Sequence, residues 1–85
     1  MKTKNLNGYQ NIVGKNIQKY RELKGISQRE LANKVALFGV TLYNSDISRI
    51  ENNTLFIRDY EQYAICKVLG ISIEHLFEDC NNFFN

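Results

Sequence analysis

The sequence predicts an all-α domain, and three observations lead to this prediction. The 85-residue chain contains no proline. Proline would interrupt a helix because it has no backbone N–H to donate to the preceding turn. Apolar residues recur at helical spacing in several segments, whereas the alternation typical of half-buried strands is not sustained over any convincing run. Glycine or asparagine follows most of these segments, where a helix is expected to end. We therefore expect a compact domain of five helices.

Capping signals give these helices their order and length. Gly25 is suited to end the first helix, and Ser27 with Glu30 forms the pattern of a capping box that starts the second. The third helix is short, and either Tyr43 or Asn44 is its N-cap. The predicted helices cover about 11–24, 27–38, 45–51 and 59–69, and a last short helix follows Ser72.

Charge is distributed unevenly along the chain. Residues 1–24 carry a net charge of +5 and residues 59–85 carry −4, within a total of +2. Such a split suggests that one end faces an anion and the other faces solvent or a partner. Composition alone thus favours a binding protein with a basic amino-terminal part.

The few cysteine and histidine residues argue against a metal site or an active site. Cys66, Cys80 and His75 cannot supply the four ligands of a structural zinc. No nucleophile with a neighbouring base and no phosphate-binding glycine loop can be assembled. We therefore predict that the chain is not an enzyme and binds no cofactor or small molecule. Cys66 is expected in the core and Cys80 at the surface, both as reduced thiols.

One domain with two short flanking segments is the predicted organisation. Residues 1–11 form a flexible basic segment, 12–78 the helical domain, and 79–85 a short tail. No apolar run approaches the ~20 residues that span a bilayer, and the polar start lacks the apolar stretch of a signal peptide. A cytoplasmic protein without a membrane partner is expected.

Three motifs follow one another in a specific order. They are Ser27-Gln28-Arg29-Glu30-Leu31-Ala32, then Ile47-Ser48-Arg49-Ile50-Glu51, then Leu69-Gly70-Ile71-Ser72-Ile73. Together they resemble the phage repressor and Cro family of helix-turn-helix transcriptional regulators, and the likeness covers about residues 12–78. The resemblance implies a homodimer that binds double-stranded operator DNA, with the third helix of each copy in the major groove, and that acts as a repressor.

Base reading then falls to the outward residues of the third helix. Arg49 is the strongest candidate, because arginine pairs with guanine through two hydrogen bonds; its alternatives are a phosphate contact or a solvated charge. Tyr43 contacts the sugar-phosphate chain or packs on Leu42. Gln28, by the resemblance, contacts the DNA backbone or steadies the recognition helix, unless it is an ordinary surface residue. The complete predicted DNA-binding set is Gln28, Tyr43, Asn44, Ser45, Ser48, Arg49, Asn52 and Arg58.

Asp46 lies among these residues and would repel phosphate, unless it faces the positive start of its own helix.

The family also commonly pairs the residues found here as Arg21 and Glu51 in a partly buried salt bridge. That pair is expected to lock the first helix to the end of the third; the alternative is two solvated charges.

The sequence departs from the family pattern in two places. Between Ala32 and Glu51 it is five residues longer than is common in the family, which is expected to lengthen the second helix to Phe38 and to enlarge the turn. The loop over 53–56 lacks the basic residues that many relatives carry there. Weaker or more salt-sensitive DNA binding, or a stronger need for a dimer, is expected to follow.

Dimerisation is assigned to the carboxy-terminal segment. Two adjacent phenylalanines close to the end of the chain would otherwise be left in water; alternatively they fold back on their own core or stay disordered. The predicted dimerisation residues are Leu76, Phe77, Phe83 and Phe84.

A second function fits the same sequence, namely a protein-interaction module such as an antitoxin-like partner whose basic face meets an acidic protein.

Overall fold

The computed structural model describes residues 4–84, and its five α-helices follow the predicted order. They are α1 (Gly14–Lys24), α2 (Gln28–Val35), α3 (Asn44–Glu51), α4 (Asp59–Leu69) and α5 (Ile73–Leu76). Two 3-10 helices, Ala36–Phe38 and Cys80–Phe83, follow α2 and α5. Within residues 4–84 the only β-pairing is an isolated bridge between Leu6 and Tyr9. The prediction of a small all-α chain is confirmed.

The core lies where the helices meet. α2 packs on both α3 and α4, while α1 contacts α3, α4 and α5. Every one of these helices contributes to the largest fully buried side chains. The α-carbon radius of gyration is 12.3 Å. The fully buried side chains are Val13, Ile17, Leu31, Val35, Ile47, Ile50, Ile65 and Leu76.

Local capping acts as the sequence predicts. Gly25 takes the left-handed conformation at the end of α1, with φ of 75°. Ser27 Oγ accepts from the Glu30 N–H at 3.0 Å and Glu30 Oε1 accepts from the Ser27 N–H at 3.0 Å, so the predicted capping box is confirmed. Of the two candidate N-caps for α3, Tyr43 holds that position and Asn44 is the first helical residue.

Two predicted helix boundaries are wrong. α1 begins at Gly14 instead of 11, because Asn11 Oδ1 accepts from the backbone N–H groups of Val13 and Gly14 and holds the preceding residues outside the helix. α2 ends at Val35, and only a 3-10 turn reaches Phe38 before Gly39 turns the chain with φ of 78°. Residues 36–38 are all exposed. A further α-helical turn there would bury no apolar face and so would gain no stabilisation from packing.

The sequence predicts a flexible basic segment over residues 1–11, and its described part is hydrogen-bonded to the domain. Residues 1–3 lie outside the described part. Leu6 and Tyr9 exchange backbone hydrogen bonds of 3.0 and 2.9 Å, and the N–H of Gln10 donates to the carbonyl of Asn53 at 2.9 Å. The described residues of this segment therefore form a turn that is bonded to the domain.

The carboxy-terminal tail also packs on the domain. The prediction that Cys80 is exposed is wrong: its thiol is buried and donates to the carbonyl of Ile12 at 3.1 Å. Phe83 meets Tyr9 edge-to-face, with ring centroids 5.0 Å apart. Cys66 is buried as predicted, and burial raises the pKa of both thiols. Asn85 lies outside the described residues.

Candidate nucleic-acid interface

α3 presents a short polar surface on an apolar anchor. Ile47 and Ile50 are fully buried, which fixes the helix against the core. Asn44, Ser45 and Arg49 are exposed and Ser48 is half-buried on the other faces. An eight-residue helix held in this way leaves its outer side chains free to contact a groove that admits one helix.

The first turn of α3 contains its own charge pair. Asp46 Oδ2 accepts from the N–H of Tyr43 at 2.9 Å, and Asp46 Oδ1 accepts from Arg49 Nη2 at 2.8 Å. The hydrogen bond from the Tyr43 N–H lowers the pKa of the Asp46 carboxyl below its ordinary value, and the hydrogen bond from Arg49 contributes a smaller lowering. Asp46 thus faces the start of its own helix, which is one of the two arrangements considered from the sequence. Arg49 forms an ion pair with it.

Tyr43 does not pack into the domain. Its ring is 67% exposed, although the adjacent Leu42 is buried. Of the two contacts considered for this residue, packing on Leu42 is therefore at most partial, and the ring is accessible to a ligand of α3.

The predicted salt bridge between Arg21 and Glu51 is present and buried. Arg21 Nε donates to Glu51 Oε2 at 2.6 Å, and Arg21 Nη2 donates to Glu51 Oε1 at 3.1 Å. Arg21 is 9% exposed and Glu51 2% exposed. The hydrogen bonds to Glu51 raise the pKa of the Arg21 guanidinium above its ordinary value. The two-hydrogen-bond geometry locks α1 to the last residue of α3.

Gln28 joins this bridge from the start of α2. Its Nε2 donates to Glu51 Oε1 at 2.9 Å, and its side chain is half-buried. Arg21 Nη1 also donates to the carbonyl of Ile26 at 2.9 Å. Glu51 therefore ties α1 and α2 to α3. The hydrogen bond from Gln28 to the last residue of α3 fits the second of the two roles considered for it, that of steadying this helix.

A second bonded cluster at the same end of α3 was missed by the sequence analysis. Asn11 Nδ2 donates to the carbonyls of Ile50 at 3.1 Å and Leu55 at 2.8 Å. Asn53, at φ of 64°, donates to both the backbone and the side-chain oxygen of Asn11 at 3.1 Å. Both asparagines are buried. The only sequence signal was local: asparagine favours helix starts and positive φ, which does not indicate a partner some 40 residues away.

α1 and α3 also approach closely at Gly14. A Cβ placed on Gly14 would lie 1.9 Å from the Ile50 carbonyl oxygen, closer than any real contact. Only glycine therefore permits this approach of the two backbones. The carboxy-terminal end of α3 is thus held by Glu51, by the asparagine pair and by Gly14.

The predicted phosphate-contacting residues after α3 lie at the surface. Asn52 is exposed, and Arg58 Nη1 lies 3.5 Å from Glu61 Oε2 with more than half of the arginine side chain exposed. Glu61 Oε1 also accepts from the Arg58 N–H at 2.7 Å and so caps α4. Arg49 and Arg58 are therefore each already paired with a carboxylate.

The predicted dimerisation residues have different environments. Leu76 is fully buried within its own chain, and Phe83 is half-buried against Tyr9. Leu76 is therefore not available to a second copy, and Phe83 follows the alternative in which the tail folds back. Phe77 and Phe84 are 39% and 55% exposed. Dimerisation through them stays a prediction.

Two further searches concern chemistry outside α3. Among residues 4–84 no three histidine, cysteine, aspartate or glutamate side chains form a cluster that could hold a metal ion. In the same part of the chain, no helix has the length and apolar character needed to cross a bilayer. Comparison with protein-family models, with curated proteins and with solved structures gave no match.

Proposed function

We propose that this chain is a sequence-specific DNA-binding transcriptional regulator, a repressor that reads operator half-sites as a homodimer. One observation carries the proposal: α3 is a short, polar, outward-facing helix whose orientation is set by a buried charge network. Recognition in the major groove needs such rigidity, because hydrogen bonds to base edges discriminate only when the side chains are held in register. The resemblance of the sequence to repressor and Cro proteins supports the same assignment.

Arg49 is the proposed base reader, and a comparison of energies supports this role. Its ion pair with Asp46 is more than half exposed on the arginine side, and exposed pairs contribute about 0–1 kcal/mol. A bidentate arginine–guanine contact contributes about 1–3 kcal/mol of discrimination. The base contact therefore outweighs the ion pair, so Arg49 can leave Asp46 on binding.

Asn44, Ser45 and Ser48 supply the remaining contacts on α3. Asparagine can pair with adenine, and serine hydroxyls accept or donate to either kind of base. Tyr43 directly precedes α3, Asn52 directly follows it, and Arg58 lies at the start of α4. All three are exposed and suited to phosphate and sugar contacts, which position the helix without reading sequence.

Selection from random duplexes at two salt concentrations tests the proposal. We expect one enriched sequence, and an affinity that falls as salt rises because phosphate contacts release counterions. Arg49→Ala should then lose about 1–3 kcal/mol of discrimination between cognate and scrambled DNA, whereas Arg58→Ala should weaken both while preserving their ratio. Failure to enrich any sequence, or equal loss of cognate and scrambled affinity in Arg49→Ala, would contradict sequence-specific reading by α3.

A protein-interaction module is the second candidate, and one observation favours it. Leu37 and Phe38, in the enlarged turn before α3, are 86% and 53% exposed. Adjacent exposed apolar side chains are typical of a surface that meets another protein. If the duplex selection enriches nothing, a defined acidic partner protein whose binding is abolished by Leu37→Asp and Phe38→Asp would support this function instead.

A further inference from the structure

One face of α4 carries an exposed aromatic row. Tyr60 and Tyr63 are 56% and 58% exposed. Lys67 is exposed on the same face, with its Nζ 5.4 Å from the centre of the Tyr63 ring. The opposite face of α4 is buried in the core, so the row belongs to the outside of a firmly anchored helix.

The two charged residues of this face lie symmetrically about Tyr63. Asp59 and Lys67 lie four positions to either side of it, and both are exposed. Four helical residues correspond to a rise of about 6 Å. When two copies of α4 pack antiparallel with Tyr63 against Tyr63, Asp59 of each copy therefore comes level with Lys67 of the other. In this arrangement an acid faces a base at both ends of the contact, which is the self-complementarity that a two-fold symmetric interface requires.

We infer that the aromatic face of α4, formed by Asp59, Tyr60, Tyr63 and Lys67, pairs antiparallel with the same face of a second copy of this chain. The inference refines the homodimer of the proposed function by moving its interface from the tail to α4, but it requires no DNA. A nucleic acid fits the face less well, because Asp59 would repel phosphate and Lys67 is the only basic residue of the face to oppose it.

Cysteine cross-linking tests the arrangement directly. Facing helices 8–10 Å apart bring symmetry-related α-carbons within disulfide range, and both native thiols are buried. Tyr63→Cys should therefore give a covalent dimer under mild oxidation, while Phe84→Cys, an equally exposed aromatic of the tail, should stay monomeric. Efficient cross-linking of Phe84→Cys but not of Tyr63→Cys would place the interface on the tail and overturn the inference.

Charge exchange supplies an independent measurement that needs no oxidation. In sedimentation equilibrium, Asp59→Lys and Lys67→Asp should each raise the dimer dissociation constant about tenfold or more, because each puts two like charges opposite each other. The double variant should return towards the original value, although it has lost both favourable helix-end charges, and circular dichroism confirms that every variant is folded. A chain that is monomeric at millimolar concentration, or a double variant no better than the singles, overturns the inference. Because neither assay contains DNA, failure of the α4 dimer can be told apart from failure of the proposed DNA binding.

Discussion

At the scale of single residues, Glu51 holds the candidate interface together. Its two carboxylate oxygens accept from Arg21 and Gln28, which lie on α1 and α2. A buried carboxylate is stable only when hydrogen bonds and an opposite charge replace its water. The position of the last residue of α3 thus depends on two other helices, and the orientation of α3 depends on the bridge.

Breaking this bridge should destabilise the fold strongly. We expect Arg21→Met and Glu51→Gln each to lower the free energy of unfolding by about 3–5 kcal/mol, because each leaves a buried charge without its partner. Chemical denaturation of the two single variants and the double variant gives their coupling energy.

The matched control lies on the same helix. Lys19 Nζ pairs with Glu78 Oε1 at 2.5 Å, but the two side chains are 50% and 30% exposed, far more than those of Arg21 and Glu51. A parallel cycle with Lys19→Met and Glu78→Gln should give a much smaller coupling, since solvent screens exposed pairs. Equal coupling in the two cycles would show that burial does not strengthen the bridge between Arg21 and Glu51.

At the scale of elements, α1 and α3 are held in register by backbone contact. Gly14 lies against the carbonyl of Ile50, and Asn11 donates to that same carbonyl. The end of α3 therefore cannot tilt without moving the start of α1. At its amino-terminal end the hydrogen bonds of Asp46 go to the near neighbours Tyr43 and Arg49, and the adjacent Ile47 supplies the buried anchor.

The approach at Gly14 has a measurable consequence. Glycine-to-alanine changes in a helix normally stabilise by about 0.5–1 kcal/mol. Gly14→Ala should instead destabilise by about 1–3 kcal/mol, as overpacking of a filled interior does. Thermal and urea unfolding would measure this, with Lys15→Ala, an exposed neighbour on α1, as the control that should change little. A stabilised Gly14→Ala would mean that α1 and α3 can separate without cost.

At the scale of the whole molecule, the two ends of the chain close on each other. Asn7 Nδ2 donates to the carbonyl of Phe83 at 3.2 Å, and the Cys80 thiol donates to Ile12. Asn16 on α1 donates to the carbonyls of Leu76 and Glu78 at 2.8 and 2.9 Å. The tail is thereby part of the domain, which matters for an 85-residue chain because so small a core is marginal without such additions.

The two terminal phenylalanines should therefore behave differently. Phe83→Ala is expected to lower the free energy of unfolding by about 1 kcal/mol or more, because it loses both buried area and the edge-to-face contact with Tyr9. Phe84→Ala, at a ring that is more than half exposed, should leave stability almost unchanged. Denaturation of the two variants at one protein concentration is the measurement. A larger loss in Phe84→Ala would contradict the packing of the tail.

The amino-acid sequence by itself determined the features that depend on near neighbours. The capping box of Ser27 and Glu30 and the end of α1 at Gly25 follow from hydrogen bonds and backbone preferences within a few residues. The pairing of Arg21 with Glu51 was also anticipated, although only through the family resemblance.

Tertiary structure decided the features that depend on distant segments. Asn11 with Asn53, and Cys80 with Ile12, are bonded across 42 and 68 positions, so neither local propensity nor periodicity could reveal them. The end of α2 at Val35 was decided in the same way, since residues 36–38 find no core to cover them. The physical reason is that burial and long-range hydrogen bonding exist only once the helices have packed, whereas caps form with the helix itself.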